Sequence, residues 1–215
     1  MLQNSHDPPS PAGFDWKKAQ LVHRDKLPHV RQDNVIYFVT FRLADSLPVK
    51  RTRELREQRD RWLAANPRPH PTEQAKVFRT IWTTRIENLM DAGHGECPLA
   101  NRDCREIVEG VLRHDDGSLY LLGAFVIMPN HVHALVQILP VGDLSMVVKA
   151  WKSLSARHIN QLLQLSGSLW QEEYFDHVVR DTASLGRFIT YIRQNPSCLP
   201  AGDYTLGSGS LRVEE

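Results

Sequence analysis

His131-Val132-His133 carries the clearest metal-binding chemistry in this sequence. On a strand, positions i and i+2 project from the same face, so both imidazoles can converge on one ion while Val132 points into the opposite layer. Ten histidines in 215 residues make such a triplet unsurprising by chance, so the triplet alone is a weak signal, and two surface or capped histidines is the competing reading. Placement strengthens it, because Pro129-Asn130 immediately precedes the pair and a rigid turn there would hold the ligands at a sheet end. A second pair, Tyr191 and Asn195, is four residues apart near the end of a helical pattern, so a phenol and an amide oxygen share one helix face. A tyrosine in such a place is ordinarily core or interface.

Elements must exist to position these groups, and the chain is long enough to bury a core around them. Val35–Leu43 combines β-branched and aromatic residues, with Val35, Tyr37, Val39, Phe41 and Leu43 on its inward face. Lys50–Ala65 reads as a charged helix that ends before the prolines of NPRPHP. Thr72 caps a second helix with Ala75, Phe78, Ile81, Trp82 and Ile86 on one stripe. Asp91–Cys104 is a glycine-containing loop, Arg105–Arg113 a short helix, and Leu119–Met128 a buried strand that pairs with HVHALVQILP around a tight turn at Met128–Asn130. Leu144–Leu165 is a long amphipathic helix, and Asp181–Gln194 the last helix, closed by Pro196. Residues 1–26 are expected to be a flexible lead-in, residues 27–200 one α+β domain with helices packed on one side of its sheet, and residues 201–215 a loose tail.

Composition limits the function classes. The longest apolar stretches fall far short of the roughly 18 residues of a membrane span. Cys97, Cys104 and Cys198 form no CxxC pair and leave one thiol over in any disulfide scheme, which predicts reduced cysteines in a soluble, cytoplasmic protein. The formal net charge of +1 decides nothing about nucleic acid, because phosphate contacts depend on local basic patches. Residues 144–165 hold Lys149, Lys152, Arg157 and His158 without a single Asp or Glu, a basic stripe for which DNA contact and a solvated face are open alternatives. Trp151 and Trp170 read as core before they read as base-stacking platforms.

MPNHVHALV (Met128–Val136), WKSLSA (Trp151–Ala156), LWQEEYFDHVVRD (Leu169–Asp181) and YIRQNP (Tyr191–Pro196) resemble, in this order, the successive signatures of HUH single-tyrosine transposases. LPHV (Leu27–Val30) followed by YFVTFRLADSLP (Tyr37–Pro48) is similar to the branch of REP-associated tyrosine transposases. The resemblance spans roughly Leu27 to Pro196 and implies a ferredoxin-like (RRM-like) α+β fold. By position it makes His131, His133 and Asn195 the ligands of Mg²⁺ or Mn²⁺, and Tyr191 the nucleophile, with Tyr174 in reserve. It implies single-stranded or hairpin DNA as the partner of a nucleoid-associated monomer or homodimer. It also implies attack of the phenol on a phosphodiester, leaving a 5′-phosphotyrosine and a free 3′-hydroxyl. The phenol must first lose its proton; His177 is a candidate base, with a structural role as its alternative. A donor set of two imidazoles and one amide is neutral and suits Mn²⁺ at least as well as Mg²⁺. Two other readings stand beside this one. One is a binder of repeat hairpins that does not cut; the other is a small zinc-dependent hydrolytic protein, which lacks an evident third ligand.

Overall fold

Val35–Leu43 is, apart from Arg42 near its end, apolar or β-branched on both of its faces, the pattern of a strand covered on both sides. The computed structural model, which describes residues 20–24, 27–32, 34–47, 49–66, 89 and 92–212, places it inside a five-stranded sheet. The strands are β1 (Gln20–Arg24), β2 (Leu27–Arg31), β3 (Ile36–Arg42), β4 (Tyr120–Ile127), β5 (His131–Ile138), β6 (Phe175–Val178) and β7 (Thr205–Ser208). The helices are α1 (Val49–Ala65), α2 (Arg102–His114), α3 (Leu144–Leu163) and α4 (Thr182–Gln194). β1 and β2 form a separate antiparallel pair; the main sheet runs β6-β3-β5-β4-β7, with every pairing antiparallel. This is the α+β antiparallel architecture expected.

Period-2 alternation sorts the side chains into two cores. Tyr37, Val39 and Phe41 of β3, with Val35 and Leu43 at its two ends, join Val132, Ala134, Val136 and Ile138 of β5 beneath α2 and α3. Trp151 and Trp170 belong to this core, their indole N–H groups donating to Tyr120 Oη and Ser155 Oγ at 2.9 Å each. The opposite face holds Ile36, Phe38, Val126 and Leu135, closed by Leu185 and Ile192 of α4. α2 and α3 therefore share one side as expected, and α4 adds a layer on the other.

Caps set two helix starts. α2 begins three residues earlier than the expected Arg105 because Asn101 Oδ1 accepts from the Asp103 N–H. Asp181 caps α4 by accepting from the Ser184 N–H. The helix expected from Thr72 lies outside the described residues, as do residues 1–19.

Two stretches expected to be loose are not. Residues 20–24 of the presumed lead-in pair with 27–31 as β1 and β2. The tail after Ala201 supplies β7, which pairs with β4 from Ala124↔Ser208 to Ile127↔Thr205. Arg105 explains why the tail is held: its guanidinium is buried and donates to the carbonyls of Leu99, Ala100 and Gly202 and to Thr205 Oγ1. Removing it strips a charged donor from several partly buried acceptors at once. Arg105→Ala is expected to lower the free energy of unfolding by on the order of 3 kcal/mol, read from urea denaturation.

Candidate active site

Because Val132 and Ala134 point into the core under α2 and α3, alternation sends His131 and His133 to the other face, beneath α4. Both imidazoles are fully buried. Their ring centroids lie 4.7 Å apart, edge to face at 74°.

The last helix supplies the other two groups. Spacing of three and four residues puts Phe188, Tyr191 and Asn195 on the face that α4 turns to the sheet. The Tyr191 ring sits 5.2 Å from the His133 ring, again edge to face at 73°. Asn195 stays in helical conformation, its N–H donating to the Tyr191 carbonyl, and its side chain interacts with the His131 ring closely enough to oppose the fall of its pKa. The four residues singled out at separate places in the sequence thus meet on one side of the central strand.

Several residues that the sequence reading did not single out hold this cluster. Thr40 faces His133 across the β3–β5 register and its Oγ1 lies 2.7 Å from His133 Nδ1. Asn130 Oδ1 lies 2.7 Å from His131 Nδ1. Phe38 stacks on His133 at 5.3 Å, Phe188 on Phe38 at 4.5 Å and His177 on Phe188 at 6.4 Å, all within 17° of parallel. This column docks α4 on the sheet and fixes the plane of His133. His177 is its outermost ring. The signal was available in Ile36, Phe38 and Thr40, even-numbered residues of β3 that are apolar or β-branched like the odd ones.

Burial decides the charge state of the site. Desolvation lowers the pKa of His131 to about 4, opposed by its interaction with the Asn195 side chain. Desolvation, reinforced by the neighbouring His131, holds His133 well below its ordinary value. Both rings are therefore neutral near pH 7, the form in which imidazole donates a lone pair. His133 Nε2 is buried and has no hydrogen-bond partner among the described residues. A buried nitrogen in that condition is costly unless something else meets its lone pair, and a divalent cation shared by His131, His133 and Asn195 fits it. Among the described residues no third His, Cys, Asp or Glu joins the pair, which does not suit a structural zinc set.

The depressed values have a consequence for stability. Between pH 6.5 and 4 the unfolded chain binds protons that the folded chain does not, so stability is full above about pH 6.5 and falls as the pH drops toward 4. His131 alone contributes a loss on the order of 3 kcal/mol across this window. Urea melts of metal-free protein at pH 7 and pH 4.5 should show it, and His131→Gln should shrink the difference to the part His133 contributes.

Other expected site residues are placed elsewhere. Tyr174 packs against the core under α2 and α3, across the sheet from the imidazoles. Lys149 and Arg157 are exposed on α3, on that same far side. Lys152 donates to the Glu172 carbonyl at 2.5 Å, and burial lowers its pKa while the Glu172 carboxylate opposes the shift. The structure brings none of these three cations to the histidine cluster.

Comparison with known proteins follows the same segment of chain. Residues 98–195, from just before α2 to the end of α4, match the family model described as transposase IS200 like. A protein of Haemophilus influenzae described as uncharacterized is 26% identical over 97 residues, covering 34% of this chain and 52% of its own. The chain thus spans about half the length of that curated relative. Among solved structures, a REP-associated tyrosine transposase bound to a REP hairpin aligns at 17% identity and a TM-score of 0.43, covering 81% of this chain and 74% of its own. A candidate transposase from Deinococcus radiodurans aligns at 16% identity and a TM-score of 0.32, covering 77% and 93%. No helix among the described residues is long and apolar enough to cross a membrane.

Proposed function

We infer from the IS200-like transposase match over residues 98–195 that this protein is a transposase-like DNA strand transferase, and that it cleaves single-stranded or hairpin DNA through Tyr191. The observation that carries the finer reading is the approach of the Tyr191 ring to within 5.2 Å of the buried, neutral His133.

His131, His133 and Asn195 would hold Mg²⁺ or Mn²⁺. When bound, such an ion neutralises charge on a non-bridging phosphate oxygen and orients the phosphodiester. The protein's own groups account for the rest. Thr40 and Phe38 hold the His133 ring, Asn130 holds His131, and the Phe38–Phe188 stack keeps α4 at the distance that sets Tyr191 beside them. Burial excludes water that would compete with the phenol.

The phenol gives up its proton and Tyr191 Oη forms a bond to phosphorus as the 3′-oxygen leaves with the bond electrons, yielding a 5′-phosphotyrosine and a 3′-hydroxyl. Bond energy is conserved in the phosphotyrosine, so another 3′-hydroxyl can displace Tyr191 and rejoin strands. One site serves both steps.

The test uses end-labelled hairpin DNA with a single-stranded flank. With Mn²⁺, a protein–DNA adduct that survives denaturation is expected, and excess EDTA should remove it. Binding with no adduct under any divalent ion would favour a hairpin binder that does not cut.

A further inference from the structure

Asn130 is placed to control which nitrogen of His131 carries the proton. It is 1% exposed, and its carbonyl and both side-chain polar atoms have defined places. Its backbone carbonyl accepts from the Leu43 N–H at 2.9 Å, tying it to the end of β3. Its Nδ2 donates to the His94 carbonyl at 3.2 Å, and its Oδ1 lies 2.7 Å from His131 Nδ1. We propose that Asn130 is a positioning residue that locks His131 in the Nδ1–H tautomer and so presents Nε2 to the cation site; the proposal rests on the metal reading above.

The amide orientation follows from electrostatics. Turning the carboxamide over would set its oxygen against the His94 carbonyl, acceptor against acceptor, and lose that bond, with only an Nδ2–H contact to the imidazole left in its place. With Nδ2 on His94, the oxygen must face the imidazole. A carboxamide oxygen only accepts, so His131 Nδ1 must carry a hydrogen. A neutral imidazole has one N–H, which leaves the lone pair on Nε2. Metal-binding histidines are commonly oriented in this way through the second ring nitrogen.

The loop that supplies the His94 carbonyl is itself held. The Asp45 carboxylate accepts from the Glu96 N–H at 2.8 Å. Gly95 lies against it with φ +97°, and a Cβ there would stand 2.8 Å from the Asp45 carboxylate. A chain of contacts thus runs from Asp45 through residues 94–96 to Asn130 and His131. It gives a way to disturb the tautomer without touching the site, since Gly95→Ala must displace the loop.

The experiment is a long-range ¹H–¹⁵N spectrum of full-length, histidine-labelled protein without metal at pH 7, followed by titration with Mn²⁺ alone. His131 is expected to show a protonated Nδ1 and a lone-pair Nε2. Asn130→Ala should give mixed tautomers and weaken Mn²⁺ binding by about 10–100-fold. Asn130→Asp, which keeps an acceptor facing Nδ1, should restore the Nδ1–H signature, and Gly95→Ala should shift part of the population as Asn130→Ala does. A protonated Nε2 in the wild-type protein, or an unchanged tautomer and affinity in Asn130→Ala, overturns the proposal. If Asn130→Ala does not fold, the wild-type spectrum and Gly95→Ala decide. An Nδ1–H tautomer with no Mn²⁺ binding instead overturns the metal reading and supports the lock.

Discussion

Tyr191→Phe is expected to keep the fold and DNA binding while reducing the covalent adduct by at least about 10³-fold, as loss of a nucleophile does. The phenylalanine ring preserves the edge contacts that Tyr191 makes with Phe38 at 5.9 Å and His133 at 5.2 Å, so α4 stays docked. Only the oxygen is lost, and no other hydroxyl on α4 occupies its place: Thr190 is exposed, turned from the sheet. Tyr174→Phe should leave the adduct near wild type, because Tyr174 packs against the core on the far face. A quenched adduct in Tyr174→Phe together with a retained one in Tyr191→Phe would reverse the assignment.

His133→Ala is expected to cost catalysis as much and to cost stability as well. A bound cation supplies several kcal/mol to the transition state, about 10³-fold or more at 1.4 kcal/mol per decade. The substitution also removes the ring on which Phe38 stacks and strips Thr40 Oγ1 of its 2.7 Å partner. Together these should lower unfolding stability by on the order of 2–3 kcal/mol. The two hydrophobic cores remain, so circular dichroism should still report a folded chain. His133→Gln, polar and without an imidazole, should recover part of the stability and none of the cleavage. Retained Mn²⁺-dependent activity in a folded His133→Ala would remove the ion from this nitrogen.

The strands and helices with strong periodicity were legible before the fold. β3, β4, β5, α3 and α4 lie within two residues of their expected bounds because hydrophobic alternation and caps are local signals. β6 and β7 were not, since four residues each of FDHV and TLGS carry too little alternation, and their pairing with β3 and β4 comes from the sheet edges they meet. The same limit hid Arg105, whose long-range grip on residues 202 and 205 has no sequence period.

For the site, residue types and spacing singled out His131, His133, Tyr191 and Asn195, and the resemblance gave them roles. Which side of the sheet α4 would cover was not readable, yet it decides everything, because β5 sends its histidines to one face only. The orienting residues Thr40 and Asn130 were missed for a related reason. A hydroxyl or amide acquires such a role from the cross-strand register or the turn that carries it, and neither is set by its own neighbours in sequence. The basic residues of α3 illustrate the converse: a clean acid-free stripe is a local fact, and its side of the sheet is not.

Peptide mapping of the adduct formed by the wild-type chain tests the account most directly. Trypsin separates the two candidates, since Tyr191 falls in Phe188–Arg193 and Tyr174 in His158–Arg180. After Mn²⁺-dependent reaction with hairpin DNA and nuclease trimming, mass spectrometry should find the nucleotide on the Phe188–Arg193 peptide, linked through Tyr191. A nucleotide on His158–Arg180, or on neither peptide while DNA is cut, would contradict it.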